Sequence, residues 1–538
     1  MTGVAESPER VHKVVSWLFP SIKDILFLAF LFVPLMTKES GVLYDGDTGW
    51  HIRNGEHILA TGTFPRADYF SYTREGAPWF AWEWLADVIM ALIHQYAGLL
   101  GIVVWANIVF ALTFTLLFHW MLNQGNNILV SLGFTALAGF ASSVHWLARP
   151  HLFTMLFVLI WSILLQNIEQ QGICARSKHH FWLFPLLIAL WANTHGGFVV
   201  GIILLLIHAI ANLLSGLTSS DAVVQERSRS VARHLLKLTV VCLLTTLLNP
   251  YGVHLHRHIL DSYLFSQYLV DRITEFASPD FHTLVVKFFE LILLSTIVIP
   301  GVAMRRLSFL DVGLIVFWTH MALFSVRHVP LYSVMIVPLM VRRFSEYIQE
   351  APMKMEAQAW IGRWIRRFAD YSDRMNSFES QFKGLEYPTL ALVLLVFLCR
   401  RDPASGGRDD MQVGFDPKRF PLKAAEYIEQ RKLAGNLFTT DYWGGYLIYR
   451  FYPRHKVFFD GRSDMYGRSF LKEYEAVINL DYSWKAVLDK YQVSWILVPV
   501  DAGLATALKE LKNWKIIYDD HQAIIFEKQV LSQALAGS

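Results

Sequence analysis

The sequence predicts an all-α polytopic membrane domain followed by a small soluble α/β domain, for three reasons. The chain of 538 residues is 54% hydrophobic and only 17% charged, and its mean hydropathy is +0.34. These values are typical of polytopic membrane proteins. Long apolar segments recur throughout residues 22–400. From residue 401 onward the chain is more polar and alternates helical with strand-like patterns.

About eleven apolar segments are candidates to span a membrane, which requires about 20 mostly apolar residues each. Several are shorter than this, so their ends are approximate. The segments are 22–36, 99–121, 128–144, 151–168, 181–192, 198–214, 235–248, 284–304, 309–326, 329–341 and 388–399.

Basic residues indicate the orientation of these segments, because cytoplasmic loops are enriched in Lys and Arg. With eleven spans and residues 1–21 as a cytoplasmic tail, five basic clusters fall on the cytoplasmic side. Arg400 and Arg401 are the exception. This topology places residues 401–538 outside the cytoplasm. The five clusters are 10–23, 176–178, 227–233, 305–306 and 342–343.

The topology also requires that residues 82–96 do not cross the membrane. Glu83, Asp87 and His94 fall on one helical face, and the other positions are mostly apolar. Such a helix lies in the plane of the interface. Residues 37–98 are therefore predicted to form one large outer loop that contains an interfacial helix.

Two further regions have clear patterns. Residues 342–383 are amphipathic and basic, which predicts a helix on the anionic cytoplasmic leaflet. After a linker at 401–411, the C-terminal region shows both helical and strand patterns. We predict helices at 421–432, 484–491 and 505–511, and strands at 456–460, 494–499, 514–518 and 523–527.

A short polar stretch after the first apolar segment carries Asp45 and Asp47, followed by His51 and Arg53. The glycines at 46 and 49 are expected to let the backbone turn tightly, so that both acids point into one cavity. A solvated loop is the alternative interpretation.

Other unusual polar residues collect at the same predicted membrane face. They are Arg149 and His151 before the fourth segment, His195 after the fifth, and Arg327 and His328 between the ninth and tenth. Ionisable groups at a membrane edge are candidates for function. For the two arginines, snorkelling to the interface is the alternative.

Several motifs resemble the GT-C superfamily of polytopic glycosyltransferases, which includes protein O-mannosyltransferases, lipid A aminoarabinose transferases and the catalytic subunit of oligosaccharyltransferase. The layout is also similar: a first span, a large outer loop with an acidic pair, and then many spans. The motifs are Gly46-Asp-Thr-Gly-Trp-His-Ile, Gly62-Thr-Phe-Pro-Arg-Ala-Asp-Tyr-Phe-Ser-Tyr-Thr, Trp79-Phe-Ala-Trp-Glu-Trp-Leu, Trp191-Ala-Asn-Thr-His-Gly-Gly-Phe and Val457-Phe-Phe-Asp-Gly-Arg.

The resemblance implies transfer of a sugar, with inversion, from a polyprenyl-phosphate donor on the outer face of a bacterial inner membrane. Either Asp47 or Asp45 would be the catalytic base. The second carboxylate would raise the pKa of the first or help to hold Mg²⁺ or Mn²⁺, and we favour a site without metal. The groups expected to bind the donor phosphate are Arg149, His195, Arg327 and His328. Those expected to support the site are His51, Arg53, Glu83 and His151.

The C-terminal domain is expected to help select an acceptor, which would be a glycan, a lipid or a protein. Residues 440–445, Thr-Asp-Tyr-Trp-Gly-Gly, are loosely similar to the Trp-Trp-Asp-Tyr-Gly motif of oligosaccharyltransferase. The acceptor-side candidates are Tyr442, Asp460 and Arg462. Membrane lipid is a further partner. The net charge of +3 is too small to indicate nucleic acid.

Two other functions compete with this interpretation. A transporter or flippase of a lipid-linked or anionic solute should show a sequence repeat between the two halves of the chain and paired broken helices. The sequence contains no internal repeat strong enough to support this interpretation. A non-catalytic assembly or sensor protein would leave the clustered acids, histidines and arginines without a role.

Overall fold

The computed structural model describes residues 19–35, 41–171, 177–264, 267–302, 306–354, 360–382, 384, 386–399 and 413–529. These residues are mostly helical and contain one four-stranded sheet. The predicted linker, most of the N-terminal tail, and the basic residues Arg176, Arg305, Arg400 and Arg401 lie outside the described residues.

Each predicted apolar segment overlaps a helix. Within the described residues, five helices are long and apolar enough to cross a membrane, namely Trp84–Asn123, Ile128–His145, His151–Gln170, Phe198–Thr218 and Leu284–Val302. Shorter apolar helices cover Phe181–Thr194, Phe309–Phe324 and Glu386–Leu398. Several apolar helices therefore indicate a multi-pass membrane protein, while the number of eleven spans stays a prediction.

The helices of this domain are as follows. They are α1 (Ile22–Phe32), α2 (Asp47–Thr61), α3 (Trp84–Asn123), α4 (Ile128–Ser142), α5 (His151–Gln171), α6 (Ser177–Thr194), α7 (Phe198–Thr218), α8 (Ala222–Thr245), α9 (Val253–Ile259), α10 (Gln267–Arg272), α11 (Leu284–Val302), α12 (Phe309–Phe324), α13 (Val329–Lys354), α14 (Trp360–Glu379) and α15 (Glu386–Leu398).

Helix α3 is broken at Gly98, which has φ 61° and ψ −157°. This conformation favours glycine because a side chain would be strained there. The break separates the part that contains the predicted interfacial segment from the part that contains the predicted span at 99–121. The break coincides with the end predicted for the outer loop at residue 98, and both that boundary and the orientation of the first part along the interface stay predictions.

The C-terminal domain is built on a sheet with the strand order β1-β2-β4-β3, in which only β1 and β2 are parallel. Its strands are β1 (Asn436–Thr439), β2 (Val493–Pro499), β3 (Trp514–Asp519) and β4 (Ala523–Lys528). Its helices are α16 (Leu422–Arg431), α17 (Asp441–Phe451), α18 (Ser463–Ile478), α19 (Trp484–Lys490) and α20 (Gly503–Lys509).

The predicted α/β class and six of its elements are confirmed, but one predicted strand is wrong. Residues 456–460 form no strand; Val457 makes only an isolated parallel bridge to Ser71 of the first outer loop. Strand β1 and helices α17 and α18 were not predicted. The apolar run at 457–459 packs as buried core, which produces the same apolar pattern as a strand.

The prediction of a tight turn at the acidic motif is also wrong, because Asp47 is the first residue of helix α2. The two glycines instead permit close contact between helices. A Cβ at Gly46 would lie 2.8 Å from the carbonyl oxygen of Tyr442, and a Cβ at Gly49 would overlap the carbonyl oxygen of Gly445. The acidic motif is therefore packed directly on α17 of the C-terminal domain.

Residues 68–74 of the first outer loop join the two domains. The backbone N–H of Val457 donates to the Phe70 carbonyl at 3.0 Å, and the N–H of Tyr72 donates to the Val457 carbonyl at 3.1 Å. The Thr73 hydroxyl donates to the Phe458 carbonyl at 2.6 Å. One cluster of buried apolar residues runs from the helical domain into the sheet, so the two domains share a core.

Candidate active site

A cavity of about 1180 Å³ lies between the helical domain and the C-terminal domain. Its apolar lining includes Phe30 of α1 with Val33 just after that helix, and Phe140 of α4 with Val144 just after that helix. The polar part of the lining is large. Nine predicted site residues line it: Asp45, Asp47, Glu83, Arg149, His151, His195, Arg327, Tyr442 and Arg462.

Arg149 is the centre of the polar part. Its Nη1 lies 2.6 Å from Asp45 Oδ2 and 2.8 Å from Glu275 Oε1, and its Nη2 lies 3.2 Å from Asp47 Oδ2. Burial would lower the pKa of Arg149, but Glu275, Asp45 and Asp47 hold it well above the usual value. One guanidinium therefore holds three carboxylates together, and it stays charged.

Backbone contacts fix this arginine relative to the acidic motif. The Thr48 hydroxyl donates to the Ala148 carbonyl at 3.0 Å, and the Ala148 N–H donates to the Val42 carbonyl at 2.9 Å. Both Thr48 and Ala148 are fully buried. Ala148, the residue before Arg149, is thus held against Val42 and Thr48, which lie on either side of Asp45 and Asp47.

The two acids of the motif have different environments. The Asp47 N–H donates to Asp45 Oδ1 at 2.9 Å, so Asp45 caps the first turn of α2. Burial of the side chain, followed by the charge of Asp45, raises the pKa of Asp47 to about 7, although Arg149 opposes the shift. A carboxylate with this pKa can accept a proton near neutral pH, which favours Asp47 over Asp45 as the base.

Glu275 is the main site residue to which sequence analysis assigned no role, although it lies in a loop predicted at the same membrane face. Its Oε2 lies 3.7 Å from Arg327 Nη1, and its other oxygen contacts Arg149. Burial raises the pKa of Glu275, but the two arginines outweigh burial and lower it to about 2. Glu275 is therefore ionised and links the two arginines that the sequence predicts to bind phosphate.

His195 and Glu83 form a second polar group in the cavity. The Gly197 N–H donates to His195 Nδ1 at 3.0 Å, and the Thr154 hydroxyl lies 2.8 Å from the same nitrogen. Burial lowers the pKa of His195, so the ring is neutral. Because Nδ1 accepts, Nε2 carries the proton, and it faces Glu83 Oε1 at 3.5 Å.

Four predicted site residues do not line the cavity. His51 is buried, with Nδ1 at 2.6 Å from Asp87 Oδ1. Arg53 points away from the site, because its Nε and Nη2 donate to the Tyr449 carbonyl. His328 lies beside Arg327 but outside the lining. Asp460 is fully buried and does not line the cavity, so the acceptor-side role of Asp460 and the supporting role of Arg53 both stay predictions.

Asp460 instead holds Arg462. Arg462 Nη2 lies 2.7 Å from Asp460 Oδ2 and 2.8 Å from Oδ1 of Asp68, a residue that the sequence did not single out. The guanidinium also lies over the Trp79 ring, 4.4 Å from its centroid. Its Nη1 is buried and has no hydrogen-bond partner among the described residues. Nη1 is therefore the one terminal nitrogen of this guanidinium without a hydrogen-bond partner in the described part of the chain.

The described residues contain no group of three or more His, Cys, Asp or Glu side chains arranged to hold a metal ion. A cation between Asp45 and Asp47 would lie beside the Arg149 guanidinium, and like charges repel. The pair therefore fits an arginine better than Mg²⁺ or Mn²⁺.

We expect activity of the purified protein to survive EDTA, because Arg149 already supplies the positive charge that a metal would bring to Asp45 and Asp47. The measurement is the transfer rate before and after chelation, with Mg²⁺ or Mn²⁺ added back. Loss of activity that either ion restores would contradict this expectation.

Comparisons with known proteins bear on the fold. No protein-family model and no curated protein matches the chain. The Archaeoglobus fulgidus oligosaccharyltransferase, tethered to an acceptor peptide containing the NVT sequon, aligns with 97% of this chain and 74% of its own, with TM-score 0.52 and 12% identity. ArnT from Cupriavidus metallidurans in the apo state aligns with 96% of this chain and 98% of its own, with TM-score 0.48 and 16% identity.

Identities this low show similarity of fold alone, and of these two structures only the oligosaccharyltransferase has a TM-score above 0.5. Both proteins are GT-C superfamily membrane glycosyltransferases. The resemblance is therefore confirmed for the fold alone: 97% of this chain aligns with the oligosaccharyltransferase at a TM-score of 0.52.

Proposed function

We propose that this protein is a membrane glycosyltransferase that moves a sugar from a polyprenyl-phosphate donor to an acceptor, with inversion at the anomeric carbon. The observation that carries the proposal is a single cavity whose lining includes both apolar residues in and beside α1 and α4 and the cluster of Asp47 and Arg149. The apolar lining suits a lipid tail, and a guanidinium suits a phosphate. ArnT has been solved bound to undecaprenyl phosphate, and an archaeal oligosaccharyltransferase in complex with a dolichol-phosphate.

In the proposed reaction, Asp47 takes the proton of the acceptor hydroxyl or amide. The acceptor atom forms its bond to the anomeric carbon as the bond from that carbon to the phosphate oxygen breaks. The electron pair of the broken bond leaves with the polyprenyl phosphate, where Arg149 and Arg327 balance its charge. His195 Nε2–H is a further donor to the phosphate, and Arg462 and Tyr442 line the acceptor side.

The test of this function uses purified protein in detergent, with a lipid extract that contains polyprenyl-phosphate sugars. A transferase releases free polyprenyl phosphate when acceptor is present, and mass spectrometry detects both products. A transporter leaves the sugar–phosphate bond intact, because transport moves a solute without breaking a covalent bond. An intact bond in every acceptor mixture would favour the transporter.

We further propose that the site and the C-terminal domain face the outside of a bacterial inner membrane. An alkaline phosphatase fused to the C-terminus is expected to be active, because this enzyme requires the oxidising periplasm. The matched control is the same reporter fused after Lys354, the last residue of α13, which is expected to be inactive. The reverse pattern would place the site in the cytoplasm.

A further inference from the structure

The Val457–Arg462 motif contributes backbone to the active site rather than a reactive side chain. Its last residues, Gly461 and Arg462, line the cavity together with Ser463 and Asp464. From the contacts of Gly461 we infer that this glycine is a positioning residue that fixes the Asp47 carboxylate. The inference rests on the proposed function only in treating Asp47 as the base.

The Asp47 carboxylate packs directly against the Cα of Gly461. A Cβ at Gly461 would overlap Asp47 Oδ1 and would lie 2.7 Å from its Cγ and 2.8 Å from its Oδ2. These three nearest atoms all belong to one side chain. Gly461 is not among the glycines with positive φ. Glycine is therefore required here because there is no room for a side chain, and not because of the backbone conformation.

The backbone at Gly461 cannot easily move away from the carboxylate. On one side Asp460 is bonded to Arg462, whose guanidinium also pairs with Asp68 of the first outer loop. On the other side the Ser463 N–H donates to the Gly461 carbonyl at 2.8 Å. Asp460 and Arg462 are almost completely buried, and breaking a buried ion pair is costly.

The backbone that carries Asp47 is held equally firmly. A Cβ at Gly445 would overlap the carbonyl oxygen of Gly46 and would lie 3.0 Å from the Asp47 nitrogen. Helices α2 and α17 therefore meet with no side chain between them. With both backbones held, a methyl group at position 461 must displace the carboxylate itself, and so also its contact with Arg149.

The geometry predicts that Gly461→Ala lowers kcat by about 10²-fold, the loss typical of a displacement near 1 Å. Binding of a short-chain polyprenyl phosphate should change much less, because that probe contacts the arginines. The acid limb of the pH profile of kcat/KM should also shift, since the charges around Asp47 would change. If Gly461 had only a structural role, Gly461→Ala would leave the acid limb of the pH profile in place. It would also not lower kcat selectively relative to the affinity for the polyprenyl phosphate.

A stability cycle tests the contact without relying on activity. Gly461→Ala should lower Tm in the wild-type background but have little effect in the Asp47→Ala background, where all three overlapping atoms are absent. Gly414→Ala is the matched control in the same domain, because a Cβ there meets no atom within 4 Å. Its Tm and activity should stay at wild-type values.

The possible outcomes separate this inference from the proposed function. Equal Tm losses from Gly461→Ala in the two backgrounds would overturn the inference, as would wild-type stability and activity in Gly461→Ala. If the cycle behaves as expected but Asp47→Asn retains full transfer, the contact is real and Asp47 is not the base. If Gly461→Ala does not fold, recovery of folding by Asp47→Ala still supports the inference.

Discussion

Replacing Asp47 with Asn is expected to lower the transfer rate by at least about 10²–10⁴-fold, the range that positioned general-base catalysis supplies. Asn keeps the shape of the side chain and can still place an oxygen beside Arg149, but it cannot accept the acceptor's proton. Folding and binding of polyprenyl phosphate should persist. The measurements are kcat, Tm and donor affinity on purified protein.

The pH profile provides an independent check on Asp47. Because burial and Asp45 raise its pKa to about 7, and because the ionised form is the base, kcat/KM should rise with pH up to about 7 and then level off. Asp481→Asn is the control, since Asp481 is an exposed residue of the C-terminal domain. An Asp47→Asn protein with the wild-type rate would show that the active centre lies elsewhere.

The effect of Asp45→Asn should be smaller. Asn can still accept the Asp47 N–H through its Oδ1, so the cap on α2 survives. The change removes one negative charge beside Asp47, and the pKa of Asp47 should fall as a result. An equally severe loss in both variants would instead point to a shared role for the pair.

The helical domain was predictable from sequence because each of its spans requires a long apolar segment. Helix α2 was not predictable in this way. It carries Gly49 and Gly55, which are poor helix formers, and its stability comes from packing on α3 and α17, which no local pattern reports. Strand β1 was missed for a similar reason: it has four residues and depends on pairing with β2, which lies more than 50 residues later.

The site was predictable to the extent that unusual residue types stand at predicted loop ends. Asp47, Arg149 and Arg327 were selected on that ground, and the structure brings all three to one cavity. Glu275 was missed because it lies in a long loop among other charged residues, and only the fold shows that it faces both arginines. Arg53 was selected for its position near Asp47, but helical periodicity turns it away from Asp47 and towards Tyr449, and its supporting role stays a prediction.

Replacing Arg149 with Ala is expected to abolish binding of polyprenyl phosphate and also to destabilise the protein. Three carboxylates share this guanidinium, and removing one partner of a buried ion pair typically costs about 3–5 kcal/mol. Arg149→Lys keeps the charge but cannot reach all three acids with a fixed planar fork. It should restore most of the stability and little of the donor affinity.

Arg327→Ala is the matched comparison, because Arg327 makes a single contact with Glu275 at 3.7 Å and stacks on Phe276. It should weaken donor binding with only a small change in Tm. Titration of each variant with a short-chain polyprenyl phosphate separates the two roles. If Arg149→Lys and Arg327→Ala both bind this probe as tightly as the wild type, the arginines serve only to hold Glu275 and the acidic pair, and the donor phosphate binds elsewhere in the cavity.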